Sequence, residues 1–176
     1  MFLTDTIGGA IWKITPQGDI STWASDPLLV GTLPPGPLGF PIGANGIVFD
    51  AAGENVYVAN TDKARIMMIP VNADGSAGTA EVFVEDPAKL GGPDGITFGA
   101  DGYLYVAVVG SDSVVKIAPD GEITALAQGG PLQNPSDVGF GTRADSGTLY
   151  AANFAAFRLL GLVPGIPNPA ILTIEN

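Results

Sequence analysis

Apolar residues come in short runs divided by turn-forming clusters, and no 3.6-residue period persists anywhere along the chain. Residues 92–128 show the pattern plainly: "GITF", the turn "GADG", "YLYVAVV", "SDS", "VVKI", "PDG" and "EITAL". Val, Ile, Tyr and Phe fill the runs, which suits a pleated, half-buried strand. Gly and Asp fill the gaps, because Gly tolerates positive φ and Asp bonds its own backbone. The stretch therefore predicts about four short antiparallel strands. Two other stretches repeat it, beginning "ANGIVFDAAGENVYVAN" and "PSDVGFGTRADSGTLYAAN". Phe49, Phe98 and Phe140 take equivalent places, as do Tyr57, Tyr105 and Tyr150. The Phe spacings, 49 and 42 residues, fall in the range of propeller blades, roughly 40 to 50 residues each. About four strands, repeated in register, predict an all-β chain of the β-propeller class. A β-sandwich would explain the strands and leave the repeat unexplained.

The start of the chain enters this repeat midway. "FLTDT", "AIWKI" and "ISTWA" match the second, third and fourth strands of a unit, with Phe2 at the Tyr57 position. The expected organisation is a single partial propeller domain over 1–176. It has an incomplete blade at 1–26 and blades at 43–86, 92–128 and 134–176, about three complete blades plus most of another. A truncated product of a longer gene is the favoured explanation, ahead of an oligomer that completes the ring or an atypical small ring. Open sheet edges are expected to invite self-association. Between Leu28 and Gly46, four prolines and several glycines exclude a regular strand across most of the segment. It reads either as a connector between blades or as an apolar lid, with Leu38, Phe40 and Ile42 shaping a pocket mouth just before Asn45.

Composition narrows the chemistry. A hydrophobic share of 46% against 14% charged residues marks a folded chain rather than a disordered one. Eighteen acidic against seven basic residues give a net charge of −11, which would repel nucleic-acid phosphates and anionic membranes alike. With no Cys, a disulfide frame, a thiolate nucleophile and Cys-ligated metal are excluded. With no His, the Ser-His-Asp triad and imidazole metal sites go too. Any chemistry must run on carboxylates, amides, hydroxyls, Lys, Arg or a hard cation. No apolar run of about 18 residues suggests a membrane span. "MFLTDT" lacks the charged start and long apolar centre of a signal peptide, so the compartment expected by default is the cytoplasm.

Each unit begins its first strand through a short polar step: Asn45-Gly46, Asp94-Gly95 and Ser136-Asp137. In a propeller the first strand of each blade lines the central channel, so these positions would converge on one axis. An amide oxygen and a carboxylate suit a hard divalent cation. The alternative is a plain turn, since Asn-Gly and Asp-Gly are strong hairpin signals. Three further Asp-Gly pairs, at Asp74, Asp101 and Asp120, are expected to be turns of that kind. From spacing alone, both readings of Asp94 stand.

"ANGIVF", "YVANT", "PDGITFGADGYLYVA" and "VVKIAPDGEI" resemble the senescence-marker-protein/gluconolactonase family, which includes regucalcin. The resemblance covers nearly the whole chain and corresponds to the later part of the family domain. It implies a six-bladed propeller and a metal-dependent lactone hydrolase, with Ca²⁺ favoured over Zn²⁺ or Mg²⁺. It also implies that Asn45 and Asp94 are metal ligands, since the family carries an Asn in an Asn-Gly step and an Asp in a Pro-Asp-Gly step one blade later. The family's Glu ligand and its substrate-contacting Arg and Asn belong to earlier blades, and no residue here matches them. On this reading Asp94 is also the catalytic proton acceptor, and Phe40, Ser136 and Asp137 face a lactone or sugar-acid substrate. The alternatives are a non-catalytic propeller module presenting a face to a partner, and an inactive truncated fragment. Trp12 and Trp23 read as core, Lys63 and Arg65 as solvated, and Asp5, Asn60 and Asn153 as turn caps. Ser111 and Ser113 lack a base partner, which disfavours a serine hydrolase.

Overall fold

The computed structural model describes residues 1–32 and 39–175, so Leu38 and its expected role in a lid lie outside the described residues. Among the described residues, fourteen strands form four antiparallel meanders. The chain divides into two compact units, Met1–Pro87 and Ala88–Asn176.

The first unit holds a three-stranded sheet of β1 (Phe2–Asp5), β2 (Ala10–Ile14) and β3 (Ile20–Ser25). Its second sheet is four-stranded: β4 (Ala44–Phe49), β5 (Asn55–Asn60), β6 (Arg65–Pro70) and β7 (Glu81–Glu85). Their common core gathers Ile11, Trp23, Leu29, Val56, Val58, Met67 and Ile69. The second unit holds a four-stranded sheet of β8 (Pro93–Phe98), β9 (Leu104–Val108), β10 (Ser113–Ile117) and β11 (Ile123–Gln128). Beside it lies a three-stranded sheet of β12 (Pro135–Phe140), β13 (Leu149–Asn153) and β14 (Ala170–Ile174). Tyr105, Ala107, Val114, Val138, Leu149 and Ala151 form its core.

The repeat read from the sequence is visible in the register. Tyr57, Tyr105 and Tyr150 pair with Val48, Thr97 and Gly139, one residue before the matching Phe in each case. Phe2 pairs with Lys13 as Tyr105 pairs with Lys116, so β1 is a second strand, as expected. Within the first unit Phe2 meets Phe49 edge-to-face at 5.1 Å. Within the second, Tyr105 meets Phe140 in the same way at 5.0 Å. One aromatic contact between successive sheets thus occurs in both units, worth about 1 kcal/mol beyond the area it buries. Gly9, Ala64 and Asp112, each just before the third strand of its repeat, all have positive φ, between 49° and 65°. Each third-to-fourth strand pairing also slips by one residue, at Ile11/Trp12, Ile66/Met67 and Val114/Val115.

Between β13 and β14, residues 154–169 form a one-turn helix, α1 (Ala156–Leu159), and a loop. Ala155, Gly161 and Gly165 have positive φ, and Pro164, Pro167 and Pro169 have no N–H to give a ladder. Arg65 is not solvated. Its side chain is 12% exposed and reaches the Leu28 carbonyl at 2.8 Å and Glu85 at 3.5 Å. Trp23 is buried, with its indole N–H on the Gly75 carbonyl at 2.9 Å, while Trp12 is half-buried. Among the described residues, no helix is long and apolar enough to cross a membrane.

Candidate functional site

The polar steps sit inside strands, not between them. Asn45, Asp94 and Ser136 are each the second residue of the first strand of their sheet. At each, pairing with the next strand slips by one residue, between Ala44 and Ile47, Pro93 and Ile96, and Pro135 and Asp137. An extra residue on one strand makes a β-bulge, a device that re-aims a side chain where the ladder would otherwise fix it.

This settles the turn reading of Asp94. In the real turns, Gly75, Gly102 and Gly121 have φ of 78°, 81° and 89°. There Asp74, Asp101 and Asp120 each accept the N–H two residues on, at 2.9, 3.2 and 3.2 Å. Gly95 and Gly46 have no such φ, and Asp94 bonds no backbone N–H. The same dipeptide does two different jobs in this chain, and only the backbone tells them apart.

Asp94 is half-buried, and among the described residues its carboxylate has neither a hydrogen-bond donor nor an ion-pair partner. Burial pushes its pKa up from 3.8 to about 7, with the Asp137 carboxylate adding like-charge repulsion. Asp137 comes up to the strand beside Asp94 because residue 95 has no side chain: a Cβ there would collide with both the backbone and the carboxylate of Asp137. Asp137 is exposed, and its Oδ1 accepts the Val138 N–H at 2.9 Å. The Ser136 hydroxyl donates to the Ala152 carbonyl at 3.4 Å, a long bond. Sequence reasoning took Gly95 only as the partner of Asp94 in a polar step. Its role as a cradle was hidden, because Asp-Gly looks the same in a turn.

In the first unit, Asn45 donates from Nδ2 to the Thr61 hydroxyl at 3.1 Å, and its backbone carbonyl accepts from the Thr4 hydroxyl at 2.7 Å. With the amide N–H so engaged, Oδ1 is presented as an acceptor without a partner among the described residues. Phe40 is 43% exposed. Just after it the chain is tied down, since Asp62 Oδ2 accepts the Thr32 and Ile42 N–H groups at 2.9 and 2.8 Å. Asn60 and Asn153 are staples rather than ligands. Asn60 is fully buried and donates to the Leu28 and Val30 carbonyls, while Asn153 donates to those of Pro131 and Asn168.

Among the described residues no three acids gather closely enough to hold a metal ion. Asp94 in the second unit and Asn45 in the first nevertheless each offer an unpartnered oxygen, the donor type a hard divalent cation takes. A cavity of about 150 Å³ in the second unit, lined by Lys89, Ser111, Ser113 and Gln128 among others, does not include Asp94.

A family model described as the SMP-30/gluconolactonase/LRE-like region matches residues 41–153. The chain belongs to this family. Among SMP-30/gluconolactonase relatives, the 6-deoxy-6-sulfogluconolactonase of Pseudomonas putida is 31% identical over 108 residues, 61% of this chain and 36% of that one. Pentonolactonase XacC of Haloferax volcanii is 26% identical over 140 residues, 73% of this chain and 43% of its own. The chain thus spans less than half the length of either curated relative. A regucalcin from Agrobacterium tumefaciens, described as a calcium-binding protein, superposes with a TM-score of 0.64 at 21% identity, covering 94% of this chain and 52% of that one. That likeness shows the fold, a partial β-propeller of the family's kind.

Proposed function

We propose that this chain carries part of the active site of a metal-dependent lactone hydrolase, with Asp94 as metal ligand and proton acceptor and Asn45 as second ligand. The observation that carries the reading is Asp94 itself: a half-buried carboxylate at a strand bulge, with no hydrogen-bond donor or basic side chain to satisfy it among the described residues. A fold seeking only stability would cap such a group or replace it. The lactonase names of the two curated relatives supply the substrate class, a cyclic ester of a sugar acid.

When bound, a hard cation, Ca²⁺ by preference, would polarise the lactone carbonyl and make water more acidic. Asp94 must be ionised to serve as a ligand, and its raised pKa makes proton and cation compete for it near neutrality. Water adds to the carbonyl carbon, the ring C–O bond breaks, and the ring oxygen leaves as a hydroxyl, taking from Asp94 the proton that Asp94 removed from the water. Asp94 accepts the proton of the attacking water, since no His exists to do so. Asn45 contributes its Oδ1 without adding charge, while its Nδ2 stays on Thr61. Ser136 and Asp137 face the substrate from the third first strand, and Phe40 packs against its apolar side.

The test is hydrolysis of aldonolactones followed by proton release, with calcium and with chelator. Activity that needs the metal and is lost in Asp94→Asn supports the proposal. Activity that is unchanged by chelator, or retained in Asp94→Asn, overturns it.

A further inference from the structure

Gly46, Gly95 and Asp137 are each the third residue of β4, β8 and β12, directly after Asn45, Asp94 and Ser136. Two of the three are glycine, and the third carries an acid. That acid does not turn away from its neighbour: its carboxylate lies against the Gly95 backbone, one residue from Asp94, in the space a Cβ at position 95 would fill. Among the described residues neither Asp94 nor Asp137 has an ion-pair partner. Asp137 uses Oδ1 on the Val138 N–H, which fixes the carboxylate and leaves Oδ2 without a partner. The Asp137 carboxylate disfavours the ionised form of Asp94 beside it, a cost that glycine or serine at position 137 would have avoided.

We propose that Asp137 is a second carboxylate of the cation site at Asp94, held there by the absence of a side chain at Gly95. This deepens the function proposed above and rests on its cation site, while moving Asp137 from a substrate contact to an ion contact. Charge count and rigidity set the affinity of oxygen sites for Ca²⁺. A second fixed carboxylate raises that affinity and favours a divalent over a monovalent cation. Ser136 and Phe40 remain on the substrate side.

Calorimetric titration of the full chain with calcium chloride separates the two proposals. The parent and Asp120→Asn, altered only at a distant turn, are expected to bind alike. Asp137→Asn and Asp137→Ser are expected to bind at least about tenfold more weakly, with unchanged urea midpoints in the presence of chelator or higher ones. Asp94→Asn is expected to lose binding. If both Asp137 variants match the parent while Asp94→Asn fails, Asp137 has no part in the site and the proposed function stands. If Asp94→Asn matches the parent, or the parent takes up no calcium at millimolar concentration, the cation site and this extension of it both fall.

Discussion

Replacing Asp94 with Asn should make the metal-free protein more stable above neutral pH, an unusual outcome for a site mutation. In the folded chain Asp94 holds its proton to about pH 7, against 3.8 for an ordinary aspartate. The raised value means that ionisation is disfavoured in the fold. Below about pH 4 both states are protonated and the group costs nothing. Between the two values the folded state keeps a proton that the unfolded state has released, so stability falls as pH rises. At about 1.4 kcal/mol per pH unit, the span from 3.8 to about 7 amounts to at most about 4 kcal/mol at pH 8, since part of the group still reaches water. Asn is neutral throughout and escapes the penalty. Urea unfolding of parent and Asp94→Asn in chelator, at about pH 4 and about pH 8, measures the difference. Circular dichroism is the suitable probe, because both tryptophans, Trp12 and Trp23, lie in the first unit. The variant should match the parent in acid and exceed it in base. Parallel pH profiles, or a variant less stable than the parent at about pH 8, would refute the account of Asp94's surroundings.

Other substitutions test the scaffold. Asn153→Ala removes a buried amide that ties the carbonyls of Pro131 and Asn168 to β13, and urea unfolding should show a loss of about 3 kcal/mol. Gly95→Ala drives a methyl group into Asp137 and should cost about 1–3 kcal/mol by the same measurement. Gly139→Ala, on β12 with open space and no positive φ, should cost much less. Asp101→Ala should destabilise more than Asp120→Ala, by about 1 kcal/mol, because Asp101 also accepts the Tyr105 hydroxyl at 2.8 Å.

The repeat was legible because burial enforces it. Phe49, Phe98 and Phe140, and the tyrosines paired one residue away, must recur at a fixed spacing to reach the cores. β1 could therefore be read as a second strand from "FLTDT", "AIWKI" and "ISTWA", with Phe2 at the Tyr57 position. The staples at Asn60 and Asn153 were legible as structural residues, though not that they reach back to connecting loops. Arg65 was misread because its partner, the Leu28 carbonyl, lies 37 residues away and no local pattern marks it. Asp94 shows the limit most clearly. Pro-Asp-Gly spells a turn at 119–121 and a strand bulge at 93–95, because pairing with the neighbouring strand, not the tripeptide, decides the backbone. The approach of Asp137 to Gly95, next to Asp94, depends on strands whose acids lie 43 residues apart in sequence packing side by side.

Carbon-detected NMR of the Asp94 side chain, titrated against pH with and without calcium, tests the central claim most directly. In chelator the midpoint should lie near 7, and saturating calcium should move it well down while shifting the resonance itself. A midpoint near 3.8 that ignores calcium would make Asp94 an ordinary surface acid and contradict the account.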